Sequence, residues 1–256
     1  MAETAPARAP RVALRAARVV FLREASAYFD SSIAYVFGAV FLSLSGGIFM
    51  NDFFLRGRLD MSEYFRVLPF LLPLFVPAIT MRSWAEERSR GTFELIMTLP
   101  LRPVEIVLGK YFAALVFYAT VLLGSVPIVV MLLALGRPDV GLIVASYLGA
   151  GLLGAFFLAI GLFLSGLTRE QIVAFVVTTF VCALLVLSGQ EKVVEVLDGL
   201  KPSWQLGTWL YESVSSVSHY EVFTRGVVSL ADAGYFAIGS VFFLLLNAVT
   251  IELAKD

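Results

Sequence analysis

Charged residues are scarce in this chain and are missing from six long stretches. Asp, Glu, Lys and Arg make up 15% of the 256 residues, whereas a soluble domain carries about 25%. None of them occurs in residues 31–51, 67–81, 111–136, 140–168, 171–190 or 233–251. A helix crosses a bilayer core with roughly 20 mostly apolar residues. We therefore predict an all-α polytopic membrane protein with six transmembrane helices, at about residues 31–51, 64–84, 105–135, 140–168, 170–190 and 233–252.

Cysteine and histidine are nearly absent, which excludes several kinds of site. The single cysteine, Cys182, has no partner for an intrachain disulfide. The single histidine, His219, has no Cys or His partner in the sequence, so we predict no histidine-based metal site. Basic clusters interleaved with stacking aromatic residues are also missing, and we predict no nucleic-acid binding.

Ionisable residues are absent from the centre of each predicted span. Secondary carriers usually place one there, although sodium sites built from carbonyl and hydroxyl oxygens keep that class open. The spans also lack histidine, and with it any Ser–His dyad. The only Gly-Lys pair, Gly109-Lys110, has Val104 where a P-loop needs glycine and Tyr111 where it needs Ser or Thr. We therefore predict that this chain is not an enzyme and that any ATP hydrolysis takes place in another subunit.

Lys and Arg are unevenly distributed between the two sides that six spans define. Twelve lie in the N-terminal tail, the loop between spans two and three, the turn after span four and the C-terminus, and seven lie on the opposite side. Short loops rich in Lys and Arg stay on the cytoplasmic side of a membrane. We therefore predict that both termini and residues 84–103 lie on the cytoplasmic side.

A polar and basic segment precedes the first span. Arg11, Arg15 and Arg18 share one helical face, and apolar residues that include Phe21 share an adjoining face. A helix of this kind lies in the membrane interface with its arginines near anionic lipid headgroups. We predict an N-terminal tail and interfacial helix over residues 1–30 and a single transmembrane domain over residues 31–256. Contact with a cytoplasmic partner and simple topological anchoring both remain open for this helix.

Small residues recur at every fourth position of the fourth predicted span. They are Ser146, Ala150 and Gly154. Small side chains at this spacing let a neighbouring helix approach closely within a membrane. We predict that this face packs against another helix and does not form a binding site.

Residues 84–103, WAEERSRGTFELIMTLPLRP, interrupt the apolar segments with charge. Gly91 permits a sharp change of direction. Thr92 is suited to be an N-cap, and Glu94 places a carboxylate in the first helical turn, where the helix dipole favours it. We predict a short cytoplasmic helix over about residues 92–99, after span two. A helix of two turns is unstable alone, so its apolar side chains need lipid headgroups or a protein partner.

The segment over about residues 191–232 is too polar to cross the membrane as one helix and too apolar for a free loop. Its tryptophans, Trp204 and Trp209, suit the depth of a membrane interface. We predict a re-entrant outer segment of short helices before span six, which dips part-way into the outer leaflet or caps the outer mouth of the bundle.

Two motifs resemble those of one transporter family. The first is Glu87-Arg88-x-x-Gly91-Thr92-x-Glu94-Leu95, then Pro100, then Glu105-x-x-x-Gly109-Lys110, and the second is His219-Tyr220-Glu221-x-Phe223-x-Arg225-Gly226, then Asp232-x-x-Tyr235. The first motif resembles the coupling-helix region of ABC transporter permeases of the second exporter class. Both motifs are most similar to the gliding-motility-associated and multicopper-enzyme-maturation subgroup. The similarity extends over essentially the whole chain.

The resemblance implies that the work is divided between subunits. Two permease subunits, the same or homologous, would pair with two copies of a cytoplasmic ATPase that holds ATP and Mg, and an additional envelope-facing subunit is left open. The short helix would sit in a groove of the ATPase and move the spans as the ATPase dimer closes. The residues expected at this contact are Glu87, Arg88, Gly91, Thr92, Phe93, Glu94, Leu95, Met97 and Pro100. The alternatives are a non-transporting scaffold that transmits ATPase motion to an envelope machine, and a secondary carrier.

Overall fold

A computed structural model gives the fold. It describes residues 10–57, 60–98, 101–200 and 205–254, and the side chains of these residues except 10–16, 97 and 200. Every regular element in these ranges is an α-helix, which confirms the all-α prediction for the described part of the chain. In chain order the helices are α1 (Pro10–Phe29), α2 (Ser32–Arg56), α3 (Ser62–Thr80), α4 (Ala85–Ser89), α5 (Thr92–Thr98), α6 (Pro103–Leu123), α7 (Val126–Leu135), α8 (Val140–Leu167), α9 (Gln171–Leu187), α10 (Glu191–Leu200), α11 (Leu206–Ser213), α12 (Ser216–Thr224) and α13 (Leu230–Leu253).

Five helical segments of the described chain are long and apolar enough to cross a membrane. They are Ser32–Arg56, Ser62–Ser89, Pro103–Leu135, Val140–Leu167 and Leu230–Leu253. The fifth predicted span, 170–190, differs because α9 has only 17 residues and the chain then bends by 78° into α10. A sixth span is reached only if α9 and α10 are taken together. The third predicted span, 105–135, also divides into α6 and α7 at Gly124 and Ser125.

The long helices form an inner and an outer group. The apolar windows of α8 and α3 are 67% and 61% buried inside the protein, whereas that of α2 is only 17% buried. Helix α3 remains continuous through Pro69, Pro73 and Pro77, although each proline removes one backbone donor. All three prolines are buried. The outer helices α2, α9 and α13 expose many large apolar side chains, which is the pattern of helices that face lipid.

The small-residue face of α8 accommodates aromatic rings from two neighbouring elements. Ser146, Ala150 and Gly154 are all buried. The hydroxyl of Tyr118 in α6 donates a hydrogen bond of 2.8 Å to the Ala150 carbonyl, and its ring lies against Gly154. The Ser146 hydroxyl donates to the Phe223 carbonyl of α12 at 3.4 Å. The Tyr118 ring of α6 therefore fills the space at Gly154, and the Phe223 side chain of α12 fills the space at the nearby Gly149.

Three short helices, α10 to α12, occupy the predicted outer segment. Helix α12 packs into the bundle, where the hydroxyl of buried Tyr220 donates to the Phe65 carbonyl of α3 at 2.9 Å. His219 Nδ1 lies 2.6 Å from Asp232 Oδ1, and the His219 ring stacks on Tyr235 at 4.0 Å. The second sequence motif therefore joins α12 to the start of α13 at the end of the bundle opposite α4 and α5.

Substitution of Asp232 by asparagine tests this connection. The change removes a charge-assisted hydrogen bond in a partly buried place, so we expect a loss of about 1–2 kcal/mol in the free energy of unfolding. The matched control is Glu221→Gln, because Glu221 forms only an exposed pair with Arg225 at 3.4 Å, and exposed pairs contribute about 0.5 kcal/mol or less. Thermal unfolding of the detergent-solubilised protein measures both variants. Equal melting temperatures for the two would contradict the assigned role.

Candidate functional site

The end of the bundle that holds α4 and α5 collects most of the residues predicted to matter. Helix α4 follows α3 after a short turn, and α5 follows α4 through Gly91. Gly91 has φ of 70°, in the left-handed region where a side chain is unfavourable. This glycine redirects the chain between two helices of five and seven residues.

Helix α5 has one buried and one exposed face. Phe93 and Ile96 are buried, with 8% and 7% of their surface exposed. Phe93 packs edge-on against Trp84 at 6.1 Å, and the Arg88 guanidinium lies 4.4 Å from the centre of the Phe93 ring. Glu94 is exposed, and Leu95 exposes 69% of its surface. A helix too short to be stable in water is thus held by two apolar side chains and presents the other face outward.

The predicted ends of α5 need one correction. The sequence suggested Thr92 as the N-cap, but α5 begins at Thr92, so the N-cap position falls on Gly91. The Thr92 hydroxyl instead donates to the Glu87 carbonyl at 3.3 Å, which ties α5 back to α4. Pro100 lies outside the described residues, and the same holds for the Met97 side chain.

The start of α4 is attached to the end of α8 by a buried hydroxyl. Ser165 Oγ accepts from the backbone N–H groups of Trp84 and Ala85 at 3.2 and 3.3 Å, and it donates to the Met81 carbonyl at 3.2 Å. These donors belong to the first turn of α4, where N–H groups have no intrahelical partner. The Ser165 hydroxyl therefore connects the first turn of α4 to α8.

A buried ion network joins α1, α4 and α6. Lys110 is 2% exposed, and its Nζ lies 2.8 Å from Glu87 Oε1 and 3.2 Å from Glu24 Oε1. It also donates to the Ser83 carbonyl at 2.8 Å. Arg23 extends the network, since its Nη2 lies 3.7 Å from Glu87 Oε1. A buried ammonium group is tolerated when carboxylates and hydrogen-bond acceptors surround it, as they do here.

Glu87 therefore has a different position from the one expected of a contact residue. The sequence grouped Glu87 and Arg88 with the exposed residues of the short helix. Only 8% of Glu87 is exposed, and its carboxylate faces Lys110 in the protein interior. Arg88 is half-buried over Phe93. Among the predicted contact residues whose side chains the structure describes, Glu94 and Leu95 lie on the exposed face of α5, and Thr92 at its start is also exposed.

Helix α1 reaches the network because it packs closely along α6. Gly109 makes this possible, since a Cβ at that position would lie 2.8 Å from the Val20 side chain. Tyr28 stacks on Phe117 at 5.6 Å, and its hydroxyl donates to the Ile79 carbonyl at 3.3 Å. Burial, together with the carboxylates of Glu24 and Glu87, raises the pKa of Tyr28, so the phenol stays neutral.

Two of the predicted interfacial residues, Arg18 and Phe21, have side chains that the structure describes. Arg18 is exposed and Phe21 is half-buried. Arg11 and Arg15 belong to the helical backbone of α1, but their side chains lie outside the described residues. The described part of the N-terminal segment therefore forms helix α1, which packs along α6.

Sequence reasoning missed Lys110 and Glu24 as members of the site. Lys110 was named in the Gly109-Lys110 pair of the first motif and counted among the basic residues of the cytoplasmic side, but it was given no role at the predicted contact. The signal available was a lysine inside an otherwise apolar helix, seven positions after Pro103. Such a residue usually pairs with a carboxylate, but the sequence does not say which one, because Glu24 and Glu87 are far from it along the chain.

The fold and this end of the bundle define a class of protein. Several long apolar helices with lipid-type outer faces make the chain an integral, multi-pass membrane protein. The family model described as ABC-2 family transporter protein matches residues 62–249, which is well over half of the chain. The chain therefore belongs to the ABC-2 transporter family, as a transmembrane permease component of an ABC transporter. A search of curated proteins found no match to the chain.

Proposed function

We propose that this chain is the permease subunit of an ATP-driven exporter and that α5 is the element that receives force from a separate cytoplasmic ATPase. Members of the family generally work with such an ATPase. Two permease subunits, identical or homologous, form the translocation pathway at their interface. ATP and Mg bind in the ATPase, and this chain performs no hydrolysis. The observation that carries the proposal is the exposed face of α5, which is fixed to the bundle by Phe93 and Ile96.

The distribution of basic residues supports a cytoplasmic position for α5. Arg82, Arg88, Arg90 and Arg102 surround the short helix in the sequence. Retention of such segments on the cytoplasmic side is the general rule for inner-membrane proteins. Both termini then lie on the same side, in a bacterial inner membrane.

The contacts behind α5 give a route for the force. Thr92 connects α5 to α4, Ser165 connects α4 to α8, and Lys110 connects α4 to α1 and α6. A push on α5 is therefore shared among helices that include the most buried one, α8. Packed side chains and hydrogen-bond networks of this kind are the physical connections through which coupling between two sites is carried.

Substitutions on the exposed face of α5 test the proposal. Glu94→Lys and Leu95→Ala should each reduce co-purification of the ATPase at least about tenfold, because an apolar anchor or a charge contact contributes about 1.4 kcal/mol or more at the centre of an interface. Neither side chain is part of the core, so the melting temperature of the permease alone should stay unchanged. The assay is affinity capture of the native complex, together with complex-dependent ATP hydrolysis.

The matched control reverses a charge at the other end of the molecule. Glu212 in α11 is exposed, and Glu212→Lys should leave ATPase capture and hydrolysis at the wild-type level. Phe93→Ala serves as a second control, since it should lower both the melting temperature and ATPase capture. Wild-type capture and hydrolysis in both α5 variants would exclude this face as the contact.

A secondary carrier is the alternative that one observation favours. The buried Lys110 with Glu24 and Glu87 is the kind of ionisable group that coupled carriers use. One measurement, transport in a strain whose ATPase is inactive, distinguishes the two functions. Loss of transport when the catalytic residues of the ATPase are mutated supports the exporter, and transport that persists there but stops on dissipation of the ion gradient supports the carrier. A non-transporting scaffold would show an ATPase-dependent envelope phenotype without substrate movement.

A further inference from the structure

A cavity lies beside the ion network, between the junction of α1 and α2 on one side and the segment from α3 to α5 on the other. Its volume is about 500 Å³, which is within the range of small-molecule sites. One part of its wall is apolar and is formed by Ile33, Ala34, Phe37 and Ile79. The other part carries charged side chains, so the cavity has an apolar half and an ionic half.

The ionic half has more positive than negative groups. Lys110 is matched by Glu24 and Glu87, and Arg90 pairs with Glu86 at 2.6 Å. Arg82 also lines the cavity, and within the described residues it forms no ion pair. Its Nε is enclosed by the protein without a hydrogen-bond partner in that part of the chain. Arg23, on the same wall, has carboxylate contacts only at 3.7 and 3.9 Å and a side chain that is 64% exposed.

We propose that this cavity binds one anionic phospholipid, with its phosphate held by Arg82 and Arg23 and the upper part of one acyl chain on the apolar wall. A guanidinium group matches a phosphate in both geometry and charge. Three of the four residues of the apolar wall, Ile33, Ala34 and Phe37, belong to the outer helix α2, and Arg82 and Arg23 line the same cavity. A ligand with a charged head and a hydrocarbon tail therefore satisfies both halves. A soluble anion would leave the wall of Ile33, Phe37 and Ile79 uncovered.

Lipid binding at this site does not require the proposed coupling to an ATPase, although the two share Leu95 of α5. Its cavity is also lined by Thr92, Leu95 and Ile96 of α5 and by Glu24 of α1. A bound lipid would therefore support α1 and α5 against each other from the membrane side. Binding itself requires only this chain and the bilayer.

The test uses purified full-length protein reconstituted into nanodiscs of phosphatidylcholine with or without phosphatidylglycerol. Native mass spectrometry then measures the lipid that remains bound after release. We expect selective retention of phosphatidylglycerol, and Arg82→Gln should weaken it about tenfold because one charge-assisted contact is lost. Ala34→Phe fills the apolar half while leaving the arginines in place, and it should reduce retention to a similar extent.

Arg137→Gln is the matched control. Arg137 is exposed in the turn between α7 and α8, at the other end of the bundle, and its loss changes the net charge by the same amount. Retention equal to wild type is expected for this variant. Equal retention of both lipids by the wild-type protein would overturn the proposal, as would identical behaviour of Arg82→Gln and Arg137→Gln. Displacement of phosphatidylglycerol by inorganic phosphate would assign the site to a free anion and also overturn it.

Discussion

Lys110→Met is expected to lower the free energy of unfolding by about 3–5 kcal/mol, since removing one partner of a buried ion pair leaves the others uncompensated. Glu24 and Glu87 would remain in the interior, with side chains only 14% and 11% exposed. Arg23 is the nearest remaining cation, at 3.9 and 3.7 Å from them. The variant should also lose ATPase coupling, because α1, α4 and α6 are no longer held at one point. Equilibrium unfolding in mixed micelles and complex-dependent ATP hydrolysis measure the two effects.

A double-mutant cycle separates the ion network from a general packing defect. Glu87→Gln removes the opposite charge, so the double variant with Lys110→Met should be more stable than the sum of the two single losses predicts. An interaction energy between about 1 and 3 kcal/mol is expected for groups in direct contact. Lys192→Met, at an exposed position of α10, is the control for loss of a lysine and should stay within about 0.5 kcal/mol of wild type. Additive losses in the cycle would contradict the pairing.

Gly154→Leu is expected to destabilise the protein by at least about 3 kcal/mol. A side chain at this position meets the ring of Tyr118, which is buried on α6. Overpacking of a core costs about 1–3 kcal/mol and at times more. The displaced ring also loses its hydrogen bond to Ala150, which contributes about 1 kcal/mol more. Expression of folded protein and its melting temperature in detergent report the outcome.

The same helix offers a closely matched control for this substitution. Gly151 lies less than one turn away in α8, and a Cβ there would meet nothing within 4 Å. Gly151→Leu should therefore be neutral or slightly stabilising, because leucine has the higher helix propensity. Adding Tyr118→Ala to Gly154→Leu should restore part of the lost stability. If both leucine variants melt at the same temperature, the steric account of the α8 face is wrong.

The sequence by itself determined which segments could enter a membrane and where several helices begin. The charge-free runs predicted the long apolar helices, because an unpaired charge is costly in a bilayer core. Gly91 marked the turn before α5, because glycine adopts the left-handed backbone conformation without strain. Pro103 stands at the first residue of α6, a position that proline favours. The sequence did not determine the number of spans, because α9 stops at 17 residues where the chain bends by 78°.

Only the tertiary structure decided which charges meet and which side chains remain outside. Glu87 and Glu94 lie in the same charged stretch, yet Glu87 faces Lys110 in the interior and Glu94 is exposed. The ion network around Lys110 depends on the packing of α1 along α6. That packing brings Glu24 Oε1 within 3.2 Å of Lys110 Nζ, although the two residues are far apart in the sequence. Hydrophobic pattern and backbone preference act between near neighbours in sequence, whereas an ion pair is set by distance in space, which no local pattern records.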